Sequence, residues 1–254
     1  MSNIPSKLNT DLVQEISLEL RRLNTERELA HERSGKLSAG KLGQPLLEQV
    51  LYVLGVPPKP AEDYALGLFR RGESVEESFL QLLKPDDTQV EVEYRGVIGY
   101  IDAIRNDMIY EVKSIKNSGI KYIDPSNDKK RRSPQGLVPE YTGPKYGHTL
   151  QLTLYLLGKQ KEYGTLVYVS SDDMRIYPHI IDVKTMAGEV DRIIDQFEAA
   201  IQSKVLPKWE AREAWQANAQ YSGYPDWISL EPAQAMQKLK QQYPAAYTKL
   251  TGEK

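Results

Sequence analysis

Leu12, Ile16, Leu20 and Leu23 recur at helical spacing with Glu and Arg between them, which predicts a charged helix over residues 11–33. Ser34-Gly35 and Ala39-Gly40 interrupt that pattern. A second helix is expected from Pro45 to Leu54, with Leu47, Val50, Leu51 and Leu54 on one face. Gly55 and the Pro57-Pro58 pair stop it. A third should run from Ser74 to Leu83, ended by Pro85. The period then switches from 3.6 to 2: Gln89 to Tyr94 alternates polar and apolar side chains, Arg95-Gly96 reads as a hairpin turn, and Val97 to Ile104 continues in extended style. Asn106-Asp107 is a second turn and Met108 to Ile115 a third strand, so the three form an antiparallel meander.

After a stretch of little periodic apolar content, residues 114–147, a helix is expected at 147–162. Two strands follow, 164–170 and 174–182, joined by Ser171-Asp172-Asp173. A long amphipathic helix over 184–205 carries Val190, Ile193, Ile194, Phe197 and Ile201 as its stripe. The tail beyond Pro207 is polar and aromatic, with Trp209, Trp215, Tyr221, Tyr224 and Trp227, and is expected to pack as helices onto the core. This order implies an α/β fold with a mixed central β-sheet flanked by helices. The expected organisation is one domain over 1–254: a helical part to residue 70, a core over 71–205, and a C-terminal helical appendage.

Composition narrows the function classes. At 254 residues, 40% hydrophobic and 27% charged, the chain can bury a core without staples. With no cysteine, disulfides, zinc–thiolate sites, iron–sulfur clusters and a Cys nucleophile are excluded. No apolar run reaches 18 residues, and the acidic N-terminus (Asp11, Glu15, Glu19) resembles neither a signal nor a transit peptide, so the expectation is a cytoplasmic protein without membrane contact. There is no Walker loop and no dinucleotide fingerprint. Net charge is −2, which argues mildly against a nucleic-acid partner, but the charge is unevenly spread. Residues 114–147 hold Lys116, Lys121, Lys129, Lys130, Arg131, Arg132 and Lys145 against Asp124, Asp128 and Glu140. That segment reads either as a solvated surface loop or as one that neutralises phosphates.

The chemistry-bearing pattern is Asp102 on the second strand with Glu111 and Lys113 on the third. Two residues apart, Glu111 and Lys113 share a face, and the tight turn brings Asp102 alongside. Side-by-side carboxylates repel and lose solvation, a penalty that a hard oxygen-seeking cation removes. A neighbouring amine can then orient or help deprotonate a water. The plain alternative is a cross-strand salt bridge on a wet sheet face. Against it, Val97, Ile98, Ile101, Ala103, Ile104, Ile109, Tyr110 and Val112 make both strands as apolar as strands covered on both faces.

The run Gly99-Tyr100-Ile101-Asp102-Ala103-Ile104, followed by Glu111-Val112-Lys113-Ser114, resembles the core motif of PD-(D/E)XK nucleases, and within them the RecB-like exonuclease branch without an iron–sulfur cluster. His148-Thr149-Leu150-Gln151-Leu152-Thr153-Leu154-Tyr155 resembles that branch's downstream Q-x-x-x-Y helix, and Arg71-Gly72-Glu73-Ser74-Val75-Glu76-Glu77 its upstream segment. The likeness covers about residues 70–180. Ile101 stands where Pro is common, and Glu76 where many relatives have a metal-ligating His.

The resemblance implies a Mg²⁺- or Mn²⁺-dependent deoxyribonuclease, more exonuclease than site-specific endonuclease, in DNA repair, recombination or phage DNA processing. It implies that Asp102, Glu111 and the backbone carbonyl of Val112 bind metal, with Glu76 (or its neighbours Glu73 or Glu77) completing the site. Lys113 would act on the attacking water or the developing phosphorane charge, and Gln151 and Tyr155, four apart on one helical face, would hold the lysine or a phosphate. Lys116, Lys129, Lys130, Arg131, Arg132 and His148 are the candidate DNA contacts, His148 being as readily a cap or surface residue. Any motor would be a separate helicase or recombination protein. The alternative is a DNA-binding or assembly protein on a nuclease scaffold, with weak or lost cleavage. Glu48 is expected on the solvated side of its helix, and His179 is expected to be a strand-face residue without a catalytic role.

Overall fold

Alternating side chains and two tight turns produce β1 (Asp87–Tyr94), β2 (Val97–Arg105) and β3 (Met108–Ile115). In the computed structural model, which describes residues 10–30, 35–123 and 143–253, these strands form the expected meander. β4 (Tyr163–Ser170) then joins β3 in parallel, and β5 (Ile176–Asp182) closes the sheet antiparallel to β4. The sheet is therefore mixed, in the order β1-β2-β3-β4-β5. The parallel step is bridged by a short α4 (Asn117–Ile120) and by α5 (Tyr146–Lys159).

The two faces are covered differently. α5 and α6 (Val183–Ser203) pack Leu150, Leu154, Tyr155, Val190, Ile193 and Ile194 against Ile101, Ile109, Leu166 and Tyr168. On the opposite face, α3 (Asp63–Leu83) lays Val75 and Phe79 on Val112, Val167 and Val169. Cover on both sides explains why β4 is buried almost throughout and carries no polar alternation.

α3 begins eleven residues before the expected Ser74 and runs through residue 70, so the N-terminal part and the core share a helix. Its early turns bury Leu66 and are joined to α1 (Thr10–Ala30) by a forked Arg21–Asp63 pair. β5 starts two residues later than expected because Met174 takes a left-handed conformation (φ 59) in the turn. α5 stops at Lys159 because Gln160 does the same (φ 54).

The tail builds a second apolar cluster. Leu206, Tyr224 and Trp227, with Leu239 from α7 (Pro232–Gln242) and Leu250 from α8 (Pro244–Thr251), enclose Leu47, Val50 and Leu51 of α2 (Leu46–Leu54). Glu48 corrects the sequence reading: it is buried, its Oε1 accepting from the Ser222 hydroxyl at 2.6 Å and from the Trp209 indole at 3.5 Å. The hydrophobic pattern of α2 could not show this, because the tail that supplies those donors lies more than 150 residues away in sequence. Among the described residues, no helix is long and apolar enough to cross a membrane.

Gly99 permits a close approach of α5 to the sheet. A Cβ there would stand 2.4 Å from the Tyr155 ring and 2.9 Å from the Ala39 Cβ. Gly67 of α3, by contrast, has nothing within 4 Å of an added Cβ. Urea unfolding should therefore show Gly99→Val destabilised by about 1–3 kcal/mol through overpacking. Gly67→Ala should gain up to about 1 kcal/mol through helix propensity. Equal effects at both positions would contradict this packing.

Candidate active site

Backbone pairing lapses at Asp102. The β2–β3 ladder runs through Arg105↔Met108, Ile104↔Ile109 and Ala103↔Tyr110 and stops there. On its other side, β1 pairs with β2 on either side of Asp102 but not at it, and Gln89, which would lie opposite, has φ 52. Beyond the lapse the edge of β2 is taken by another segment: Ile98 N–H donates to the Leu37 carbonyl at 2.9 Å, and Ser38 bridges Ile98 in parallel. The ring of Tyr155 comes down over Gly99. β2 and β3 thus separate like the arms of a fork, and the candidate residues sit where they part.

Asp102 stabilises the fork. Its Oδ2 accepts the Val112 N–H at 2.7 Å, satisfying a donor that the ended ladder leaves over. Glu111 is wholly buried, and neither of its side-chain oxygens accepts a hydrogen bond of good geometry. The ammonium of Lys113 is in ion-pair contact with it. Burial pushes the Glu111 carboxyl up to about 8; Lys113 pulls it down and the Asp102 charge pushes it further up. Asp102 is likewise raised, by burial first, against the pull of Lys113 and the Val112 N–H. For Lys113, burial favours the neutral amine, but the charges of Glu111, Asp102 and Glu76 outweigh it and hold the ammonium charged.

Glu76 therefore reaches the fork electrostatically from α3, whereas Glu73 and Glu77 are exposed. α3 can approach because Gly72 lies against Ser114, whose Oγ would be 3.1 Å from an added Cβ. Among the described residues, no three His, Asp or Glu side chains are drawn together tightly enough to hold a metal alone. The donor set at the fork is two carboxylates with the Val112 backbone. The buried Glu111 carboxylate, whose Oε1 meets only the Lys113 ammonium and whose Oε2 accepts no hydrogen bond, lies beside Asp102 and suits a hard divalent cation, with water taking its remaining positions.

α5 supplies the other wall. Gln151 Nε2 donates to the Tyr155 hydroxyl at 2.8 Å, so the pair act on each other rather than on Lys113. Burial holds the Tyr155 phenol well above its usual range, and the charges of Glu111 and Asp102 add to this. His148 Nδ1 lies 3.2 Å from the Tyr168 hydroxyl. Burial, then the charges of Lys113 and Lys145, keep His148 well below its ordinary value, so it is neutral near pH 7. Tyr168, opposite Lys113 in the parallel register, accepts the Lys145 N–H at 2.8 Å and packs edge-on to His179. The sequence reading missed Tyr168, whose place in an apolar strand carries no signal. Lys116 is exposed just past β3, its ammonium 2.9 Å from the Tyr64 hydroxyl. Lys129, Lys130, Arg131 and Arg132 lie outside the described residues.

No protein-family model matches this chain, and no curated protein sequence does. Among solved structures it is similar to the protein SSO0001, at 21% identity and a TM-score of 0.48, over 85% of this chain and 96% of that one. It is also similar to an alkaline exonuclease, LHK-Exo, from Laribacter hongkongensis, at 15% identity and a TM-score of 0.46, over 68% and 90%. The complex of LHK-Exo with dAMP gives 15% and 0.47, over 67% and 89%.

The electrostatics of the fork have a measurable consequence. Between about 4.5 and about 8 the folded chain retains a proton on Glu111 that the unfolded chain has released. Native protein then binds more protons than unfolded, so stability falls as pH rises through this window. Below about pH 6.5 the buried, depressed His148 opposes this, because the unfolded imidazole binds a proton that the folded one does not, so in EDTA Tm should decline from about pH 6.5 to about pH 8. Glu111→Gln, which keeps the shape without the charge, should flatten the decline. Mn²⁺ should raise Tm more at the upper end of the window than at the lower. A wild-type Tm that climbs across that range in EDTA, or one that Glu111→Gln leaves unaltered, would contradict this account.

Proposed function

We propose that this protein is a Mg²⁺- or Mn²⁺-dependent deoxyribonuclease whose active site is the fork at Asp102, Glu111 and Lys113. The observation that carries this reading is a pair of buried carboxyl groups, one of which keeps its proton until a cation replaces it. Two carboxyl groups are buried together beside a single ammonium, and burial raises one of them to about 8. Proteins seldom bury such a pair without a cation to complete it. A bound divalent metal would supply Lewis acidity and a water of lowered pKa.

The chain's own residues then have distinct roles. Asp102, Glu111 and the Val112 carbonyl hold the cation, and Glu76 completes the site from α3. Asp102 also fixes the strand that bears its partners, through the Val112 N–H. Lys113, charged and a quarter exposed along its side chain, turns from Glu111 toward the phosphodiester, orienting the water or offsetting charge that develops in the transition state. Tyr155, held by Gln151, donates its phenolic proton toward the acidic pair or a phosphate oxygen and stays protonated. Neutral His148 offers a hydrogen bond and no charge.

DNA is the proposed substrate, with exonuclease action in repair, recombination or phage DNA processing, and a separate helicase or recombination protein as partner where a motor is needed. Lys116, and Lys129 to Arg132 beyond the described residues, are the proposed phosphate contacts. A second reading is a DNA-binding or assembly protein with weak or lost cleavage. It is favoured by the absence of a third converging ligand side chain among the described residues.

End-labelled linear and circular DNA separate the two readings. With Mg²⁺ or Mn²⁺ the linear DNA should be degraded and the circle spared, and EDTA should stop the reaction. Lys113→Ala should lower cleavage by at least about a hundredfold while far-ultraviolet circular dichroism stays unaltered. Full activity in Lys113→Ala, or DNA bound but left whole with every divalent ion tried, would overturn the nuclease reading.

A further inference from the structure

The aromatic residues of the tail divide into two sets. Tyr224 and Trp227 are buried in the second cluster, and Trp209 is half-buried against Glu48. Trp215 and Tyr221 instead stand 45% and 60% exposed, with ring centroids 6.3 Å apart at an interplanar angle of 70°. Two large rings left in water beside each other mark a binding surface more often than a fold requirement.

Their support is rigid. Gln216 is buried; its Oε1 accepts the backbone N–H groups of Arg212 and Glu213 at 2.8 and 3.0 Å, and its Nε2 donates to the Gly43 carbonyl at 2.8 Å. Gly43 in turn lies so close to Gly147, in the first turn of α5, that an added Cβ would come within 2.7 Å of the Gly147 Cα. The rings are thereby fastened to the end of the helix that presents His148, Gln151 and Tyr155 to the fork. Lys145, exposed at the N-cap of α5, has its backbone N–H bound to Tyr168, and its charge is felt by both His148 and Glu213. Half-buried Arg212 lies beside Tyr146, in the same first turn. Glu213, the acidic neighbour, is raised by burial, against a hydrogen bond from Trp215 and the charge of Lys145.

We propose that Trp215 and Tyr221, with Lys145 at the nearby N-cap of α5, form a stacking platform for unpaired nucleotides of the strand that enters the active site. The nucleic-acid identity of the ligand rests on the nuclease reading; the demand for an unpaired strand comes from the rings themselves. A base inside a duplex shows only its edges in the grooves, whereas an unpaired base offers the π-face that an exposed ring can cover, and a neighbouring ammonium tracks the backbone.

The test uses the whole chain in EDTA, with fluorescein-labelled oligothymidylate and a blunt duplex as probes. The double variant Trp215→Ala/Tyr221→Ala should bind oligothymidylate about tenfold or more weakly and the duplex within about twofold of wild type, and Trp215→Phe should retain most of the single-strand affinity. Unsubstituted protein irradiated with a 5-iodouracil oligonucleotide should carry its adduct on Trp215 or Tyr221, as mapped by mass spectrometry. Unchanged oligothymidylate affinity in the double variant, equal losses for both probes, or adducts confined to other residues would overturn the platform. Cleavage with Mg²⁺ or Mn²⁺, measured in parallel, separates the two ideas. A chain that cuts DNA with indifferent rings loses the platform alone, and a chain that cuts nothing yet binds unpaired DNA through these rings keeps the platform and loses the nuclease reading.

Discussion

Asp102 takes the hydrogen bond that a neighbouring strand would otherwise have taken. A backbone N–H buried without a partner is costly, so β2 and β3 can part company only if something else accepts from Val112. The Asp102 carboxylate does this at 2.7 Å, and the gap it holds open admits Tyr155, the Leu37–Ser38 segment and the ammonium of Lys113. The same carboxylate that props the strands apart also supplies half of the negative charge at the fork, so the structural and chemical roles of Asp102 are not separable.

Burial does the rest. In water Glu111 and Asp102 would be ordinary carboxylates. Enclosed by α5 on one side and α3 on the other, they are both raised, Glu111 to about 8, and Lys113 alone does not neutralise them. Two buried carboxyl groups, one of which keeps its proton below about pH 8, can both ionise once a divalent ion binds, and in a low-dielectric site such an ion strongly polarises a nearby phosphate oxygen. Small residues make the enclosure possible: Gly99 lets Tyr155 reach the sheet, Gly72 lets α3 lie against Ser114, and Gly43 and Gly147 bring the tail up to α5.

The meander, its two turns and the amphipathic α6 are legible in the chain because each depends on side chains close in sequence. Period-2 alternation specifies a strand with one face unlike the other, and a 3.6-residue stripe specifies a helix with one buried side. The spacing of Glu111 and Lys113 and the turn at Asn106-Asp107 were likewise enough to bring the acidic pair together. The early turns of α3 were not legible, since part of their support is an arginine on another helix; nor was the burial of Glu48, whose partners belong to the tail.

Taken alone, the sequence settled the three strands of the meander, the amphipathic α6 and which three side chains meet across one hairpin, since local periodicity and turn chemistry act over a few residues. Tertiary structure alone decided that the ladder ends at Asp102, that Gln151 binds Tyr155 rather than Lys113, and that Tyr168 backs the lysine. It alone decided that two of the tail's aromatic rings stay in the open beside α5 while others are buried. Each of those outcomes depends on which distant surfaces compete for the same backbone donor or the same volume, and that competition is resolved only when the helices have closed over the sheet.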